Sequence, residues 1–94
     1  MPIDYYYNFA DECAYCGGPY ECEEHVKPWR SGGKFTIPSC HECNLNKGAK
    51  GLKTWLRWVR DNWEEKWDEI ENYHYGRRNW LSQIVHEVRD EQII

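Results

Sequence analysis

Ninety-four residues with 40% hydrophobic content and a formal net charge of −4 describe one small, acidic domain. So short a chain buries too little apolar surface for a wide stability margin, and a covalent or metal staple is expected. No run approaches the roughly 20 apolar residues of a membrane span, and residues 1–12 lack the basic end and apolar stretch of a secretory leader, so a soluble cytoplasmic protein with no membrane partner is expected.

The charge is unevenly sorted. Between His25 and Arg60 stand eight basic residues (Lys27, Arg30, Lys34, Lys47, Lys50, Lys53, Arg57 and Arg60) against Glu42 alone. The first 24 residues carry six acids and no base, and residues 61–94 carry nine acids against four bases. A basic segment inside an acidic chain is the electrostatic footprint of phosphate binding. For Lys53, Arg57 and Arg60 a solvated helix face is an equal alternative.

In chain order, the first part, to about residue 38, is rich in Tyr, Gly, Pro and Cys. Its turn signals are Gly17-Gly18-Pro19 and Gly32-Gly33, and short alternating stretches such as Phe35-Thr36-Ile37 predict a hairpin. A short helix follows, with Ser39 as N-cap, Glu42 completing a capping box and Gly48 near its end. From Leu52 the period becomes helical. Leu52, Trp55, Leu56, Val59, Trp63, Trp67 and Ile70 form one apolar stripe, and Trp80, Leu81, Ile84, Val85 and Val88 form a second on a helix of about 77–91. The short break at Asn72–Gly76 predicts an antiparallel helical hairpin. The tryptophans read as core or interface, except Trp58, which lies off the stripe and is a candidate for an exposed role.

Five cysteines make an odd set for closed disulfide pairing, and four of them form two Cys-x-x-Cys pairs, Cys13/Cys16 and Cys40/Cys43. Two thiolates three positions apart on a tight turn can fill two corners of a tetrahedron, and the second pair fills the rest. Four sulfur donors select zinc and leave no open position, so the metal is structural. Cys22 is left over, either as one half of a Cys-x-x-His ligand pair with His25 or as a strand cysteine.

One zinc joining the two pairs brings the hairpin bearing Glu24 and His25 beside the helix bearing Asn44. Glu24 and Asn44 then offer hard oxygen ligands to Mg²⁺ or Mn²⁺, and a neutral His25 can take a proton from an attacking water. With a divalent cation to stabilise the charge and cations to hold the backbone, these are the parts of phosphodiester hydrolysis. Lys27, Arg30, Lys34, Lys47 and Lys50 are the candidate phosphate contacts. A histidine without chemistry, beside a purely structural zinc, is the competing reading.

The run Glu24-His25-Val26-x-Pro28, Ser31-Gly32-Gly33 and Ile37-Pro38-x-Cys40-x-x-Cys43-Asn44-x-x-Lys47-Gly48 resembles the HNH, or ββα-metal, nucleases, most of all their zinc-bearing endonuclease VII-like phage and bacterial branch. It covers about residues 13–56. The resemblance implies His25 as general base, Glu24 and Asn44 as ligands of the catalytic cation, and Cys13, Cys16, Cys40 and Cys43 around zinc. Glu24 stands where the family usually has Asp, and Phe35 where many members have an Asn that orients the base. The expected fold is α+β: a zinc-stapled ββα motif over 1–51 and a helical hairpin over 52–94, in one domain. The expected function is a metal-dependent DNA endonuclease; a zinc module that only binds DNA or protein is the alternative. The C-terminal helices would then serve for homodimerisation or docking to a larger protein.

Overall fold

The computed structural model describes residues 11–26 and 35–91, and shows a small α+β protein. Strand β1 (Cys22–His25) pairs antiparallel with β2 (Thr36–Ser39), followed by helices α1 (His41–Lys47), α2 (Leu52–Asn62), α3 (Glu64–His74) and α4 (Trp80–Asp90). The hairpin register sets Cys22 opposite Ser39, Glu23 opposite Pro38, and Glu24 opposite Ile37. Because the Val26 amide donates to Phe35 O at 3.1 Å, hydrogen-bonded pairs fall at every second position. Pro38, which has no amide to give, therefore occupies a position that needs none. Ahead of β1, the Glu12–Pro19 bridge closes the turn that carries Cys13 and Cys16, and the Ala14 amide ties it to Pro38 O at 2.9 Å.

Helix α1 starts one residue later than expected. Ser39 ends β2 and its hydroxyl donates to Cys40 O, whereas Cys40 is the N-cap and its sulfur accepts from the Cys43 amide at 3.4 Å. No Ser39 capping box forms, and Glu42 reaches instead toward Lys66, 3.4 Å away. Gly48, at φ 52°, ends the helix with its amide on Asn44 O, as a C-terminal glycine should.

The C-terminal part corrects the expected hairpin. The Leu52–Ile70 stripe is split at Trp63 (φ −140°, ψ 72°), so α2, α3 and α4 make three helices. The break costs little hydrogen bonding, because the Trp63 amide still reaches Val59 O and the Trp67 amide still reaches Trp63 O. Glu64 and Glu65 then occupy the first turn of α3, where negative charge favours a fresh helix start. Helix α3 continues to His74, beyond the expected break at Asn72, and Asn79 caps α4 by accepting from the Ser82 amide at 2.7 Å.

One core serves both halves. Trp55, Leu56, Val59, Ile70, Leu81, Val85 and Val88 are fully buried with Tyr15 and Ile37 from the N-terminal half, and the Tyr15 ring meets Trp55 edge-on at 6.0 Å. Trp58 is partly buried, stacked on Trp55 at 6.0 Å and covered by the Lys50 ammonium 5.1 Å from its ring. At the far end of α3, His74 is enclosed, with Nδ1 2.6 Å from Ser82 Oγ.

Burial pushes the His74 pKa down to about 4. The unfolded chain therefore binds this proton first as pH falls. Stability should be complete above about pH 6.5 and decline as pH drops toward 4, by about 2 kcal/mol between pH 7 and 5 at 1.36 kcal/mol per unit. Urea unfolding of the zinc-saturated protein at the two pH values, with His74→Gln as the comparison, measures this. An equal decline in His74→Gln would assign the loss to another group.

Candidate metal centre and strand–helix corner

Cys13 and Cys16 sit on the first turn, while Cys40 and Cys43 span the junction of β2 and the first turn of α1. Their four sulfurs all lie within 4.8 Å of one another. Cys16 Sγ is 3.7 Å from Cys40 Sγ and 3.9 Å from Cys43 Sγ. A tetrahedron with Zn–S bonds of about 2.3 Å has edges of about 3.8 Å, whereas a disulfide would bring two sulfurs to about 2.05 Å. The spacing fits four ligands around one ion. The tetrathiolate can hold a metal ion such as zinc, with no corner left for water.

The electrostatics point the same way. Hydrogen bonds from Cys16, Cys40 and Cys43 hold the Cys13 thiol far below its ordinary range, while the same crowding, led by Cys13, pushes Cys43 far above it. Without a cation, one thiolate forms at its neighbours' expense; a divalent ion inverts that competition. Lys66 lies beside the cluster with its ammonium 3.8 Å from Cys16 Sγ and 3.0 Å from Glu69, its side chain 5% exposed. Burial alone would lower its pKa, but the Glu69 carboxylate and the Cys16 and Cys43 sulfurs outweigh it and the net shift is upward. Sequence reasoning did not find Lys66, since a lysine on an acidic helix reads as a solvated i,i+3 partner.

The first turn depends on Gly17. Its φ of 77° is one that side chains rarely adopt, and a Cβ there would run into the Tyr73 ring. The knuckle is thereby pressed directly against α3. Cys22 stands apart from the four, its sulfur 3.5 Å from Ser39 O, so it is a strand cysteine and not a ligand of this cluster.

Two of the predicted site residues, Glu24 and Lys47, meet where β1 faces α1. Lys47 Nζ lies 2.6 Å from Glu24 Oε1 and donates to His25 O at 3.0 Å. This corner joins Glu24, His25 and Lys47, and Asn44 lies on α1 three residues, about one helical turn, before Lys47. Two features were not foreseen. Lys47, expected to touch phosphate, is fully enclosed, and Tyr15 Oη donates to Glu24 Oε2 at 2.5 Å. Both oxygens of a carboxylate that is itself 3% exposed are therefore engaged. The strand pleat also turns successive side chains to opposite faces: Glu24 points inward, and His25 is only partly buried.

Of the other candidate phosphate contacts, Lys50 lies over Trp58 and donates to Asn46 O, and Lys27, Arg30 and Lys34 fall outside the described residues. Lys53, Arg57 and Arg60 are paired. Lys53 meets Glu87, Arg57 grips Glu91 through Nε and Nη2, and Arg60 bridges Asp61 and Glu91. Those three cations tie α2 to α4, apart from the Asp61 contact within α2.

Removing metal with a strong chelator should abolish the folded state of the first half, since binding to such a site carries about 10–16 kcal/mol of apparent free energy in small zinc modules. Elemental analysis should find one zinc per chain, lost in Cys43→Ser, and the tryptophan near-ultraviolet signal should collapse with it. For the buried pair, Lys47→Met should cost about 3–5 kcal/mol by stranding Glu24, and adding Glu24→Leu should recover most of it. Denaturation of the two variants side by side is the check.

Comparison with protein-family models, with curated proteins and with solved structures finds no match to this chain.

Proposed function

We propose that this chain is a zinc-stapled ββα-metal endonuclease of the HNH type, hydrolysing DNA phosphodiester bonds. The observation that carries the reading is the corner itself. A strand bearing Glu24 and His25 is pinned by Lys47 to a helix bearing Asn44, with two strands and a helix in the required order and four cysteines at the junction. In this reading zinc is structural, and Glu24 and Asn44 hold Mg²⁺ or Mn²⁺. That divalent cation supplies charge stabilisation at the scissile phosphate and the leaving oxygen. His25 takes the proton of the attacking water. Lys47 serves as a positioning residue, fixing the Glu24 carboxylate and the His25 carbonyl, and phosphate contact falls to Lys50 with Lys27, Arg30 and Lys34. The DNA partner, a cytoplasmic setting where thiols stay reduced, and association through the C-terminal helices belong to the same reading.

A second reading is favoured by one specific observation. Glu24 already has Lys47 on one oxygen and Tyr15 on the other, so a cation would have to share it with a buried ammonium. A zinc module that binds DNA or protein without cleaving it would keep this arrangement unchanged.

Nicking of supercoiled plasmid by zinc-loaded protein with Mg²⁺ or Mn²⁺ decides between the two. The nuclease reading expects nicking that falls by at least ~100-fold in His25→Ala, as for loss of a general base, and that also drops in Glu24→Gln. Folded, zinc-bearing wild type that leaves the plasmid intact would establish the binding module.

A further inference from the structure

The four sulfurs are not equally enclosed. Cys13, Cys40 and Cys43 are buried, whereas Cys16 is partly exposed. Cys16 also lines an open cleft with Glu69, Asn72, Tyr73, Tyr75 and Arg77. Among the described residues, Cys16 is the cysteine of the four that attack from solvent meets first, through this cleft. Its Sγ lies 3.7 Å from Cys40 Sγ, close enough for a bond between them to form with modest movement. Directly on Cys16 Sγ sits the Lys66 ammonium at 3.8 Å, a buried cation held in place by Glu69 and Glu42.

We propose that Cys16 is a modification site, the nucleophilic edge of the metal centre, at which a peroxide converts the Cys16/Cys40 pair to a disulfide and releases the zinc, with Lys66 restraining the rate. In the first step the Cys16 thiolate attacks one oxygen of hydrogen peroxide. The S–O bond forms, the O–O bond breaks, and hydroxide leaves; sulfur is oxidised by two electrons and peroxide reduced by two. In the second step the Cys40 thiolate attacks the sulfenic sulfur, forming the S–S bond and expelling a second hydroxide, and the two hydroxides are neutralised by two protons from the buffer acid. Two thiolates remain, too few to retain the ion. The Lys66 ammonium draws electron density from Cys16 sulfur, and sulfur nucleophilicity falls as its basicity falls.

The proposal rests on the tetrathiolate and is independent of the nuclease reading. Its test uses the full chain carrying Cys22→Ser, which removes the spare thiol, loaded with zinc and titrated with hydrogen peroxide. Zinc release is followed with a chromogenic chelator, and the oxidised cysteines are located by peptide mapping. Expected are one zinc released per disulfide, the disulfide joining Cys16 to Cys40, and recovery on adding thiol reductant and zinc. Lys66→Met, which removes the ammonium 3.8 Å from Cys16 Sγ, should release zinc about 3-fold faster or more. The idea fails if Cys13 or Cys43 is oxidised first, or if zinc stays bound until the chain is denatured. An unchanged rate in Lys66→Met would overturn the restraining role.

Discussion

Four sulfurs within 4.8 Å are the constraint on which the rest of the structure depends. Along the chain, a turn near residue 15 and a helix start near residue 41 are connected through a two-stranded hairpin, which has little stability by itself, and burial of Ala14 and Tyr15 holds that turn to the core. A metal ion held by the four cysteines would fasten the two together at their junction. Once the turn is fixed, Ala14 bonds Pro38, and Tyr15 is delivered into the core against Trp55 and onto Glu24. Tyr15 thus enters the helical core from between Cys13 and Cys16, two of the four cysteines of the cluster.

The Glu24–Lys47 pair shows what that scaffold makes possible at its centre. Enclosing a carboxylate and an ammonium costs several kcal/mol for each ion, and attraction at 2.6 Å offsets this only when the remaining lone pairs and protons are also satisfied. Tyr15 and the His25 carbonyl do that work. The pair is better understood as a device for register than for raw stability. An apolar pair would tolerate sliding of α1 along β1, whereas these hydrogen bonds tie Lys47 of α1 to Glu24 and to the His25 carbonyl of β1 in one alignment.

Much of this was legible in the sequence because the signals were local and chemically specific. Two Cys-x-x-Cys pairs, the hairpin through Phe35–Ile37 and the two apolar stripes each rest on spacing alone, and each has its counterpart in the structure. What escaped depended on tertiary surroundings. The break at Trp63 carries neither Gly nor Pro, and its apolar spacing runs on as though unbroken; only packing of α2 and α3 on α4 selects it. The Cys40 cap lay hidden because a sulfur is not among the usual capping side chains, and a Ser stood one residue before it. Lys47, in the last turn of α1, reads as a cation complementing the helix dipole, and nothing local announces a buried carboxylate 23 residues earlier.

The basic segment repays the same scrutiny. Its excess of positive charge is a property of the sequence, and the fold spends a large part of it internally. Lys47 neutralises Glu24, while Lys53, Arg57 and Arg60 meet acids of α4, the residue that follows it and Asp61. The acidic C-terminal part is therefore the counter-charge that fastens α4 to α2, and it lowers the field that a polyanion would feel along that face. Exposed pairs of this kind add little to stability singly, yet Glu91 collects both Arg57 and Arg60, and those two arginines hold its carboxyl down to about 2. Of the five basic residues of the segment that lie among the described residues, Lys50 is the one without an ion pair; Lys27, Arg30 and Lys34 fall outside them. Any affinity for a phosphate backbone would draw little on the four cations paired internally, so its salt dependence should reflect fewer than eight neutralised phosphates.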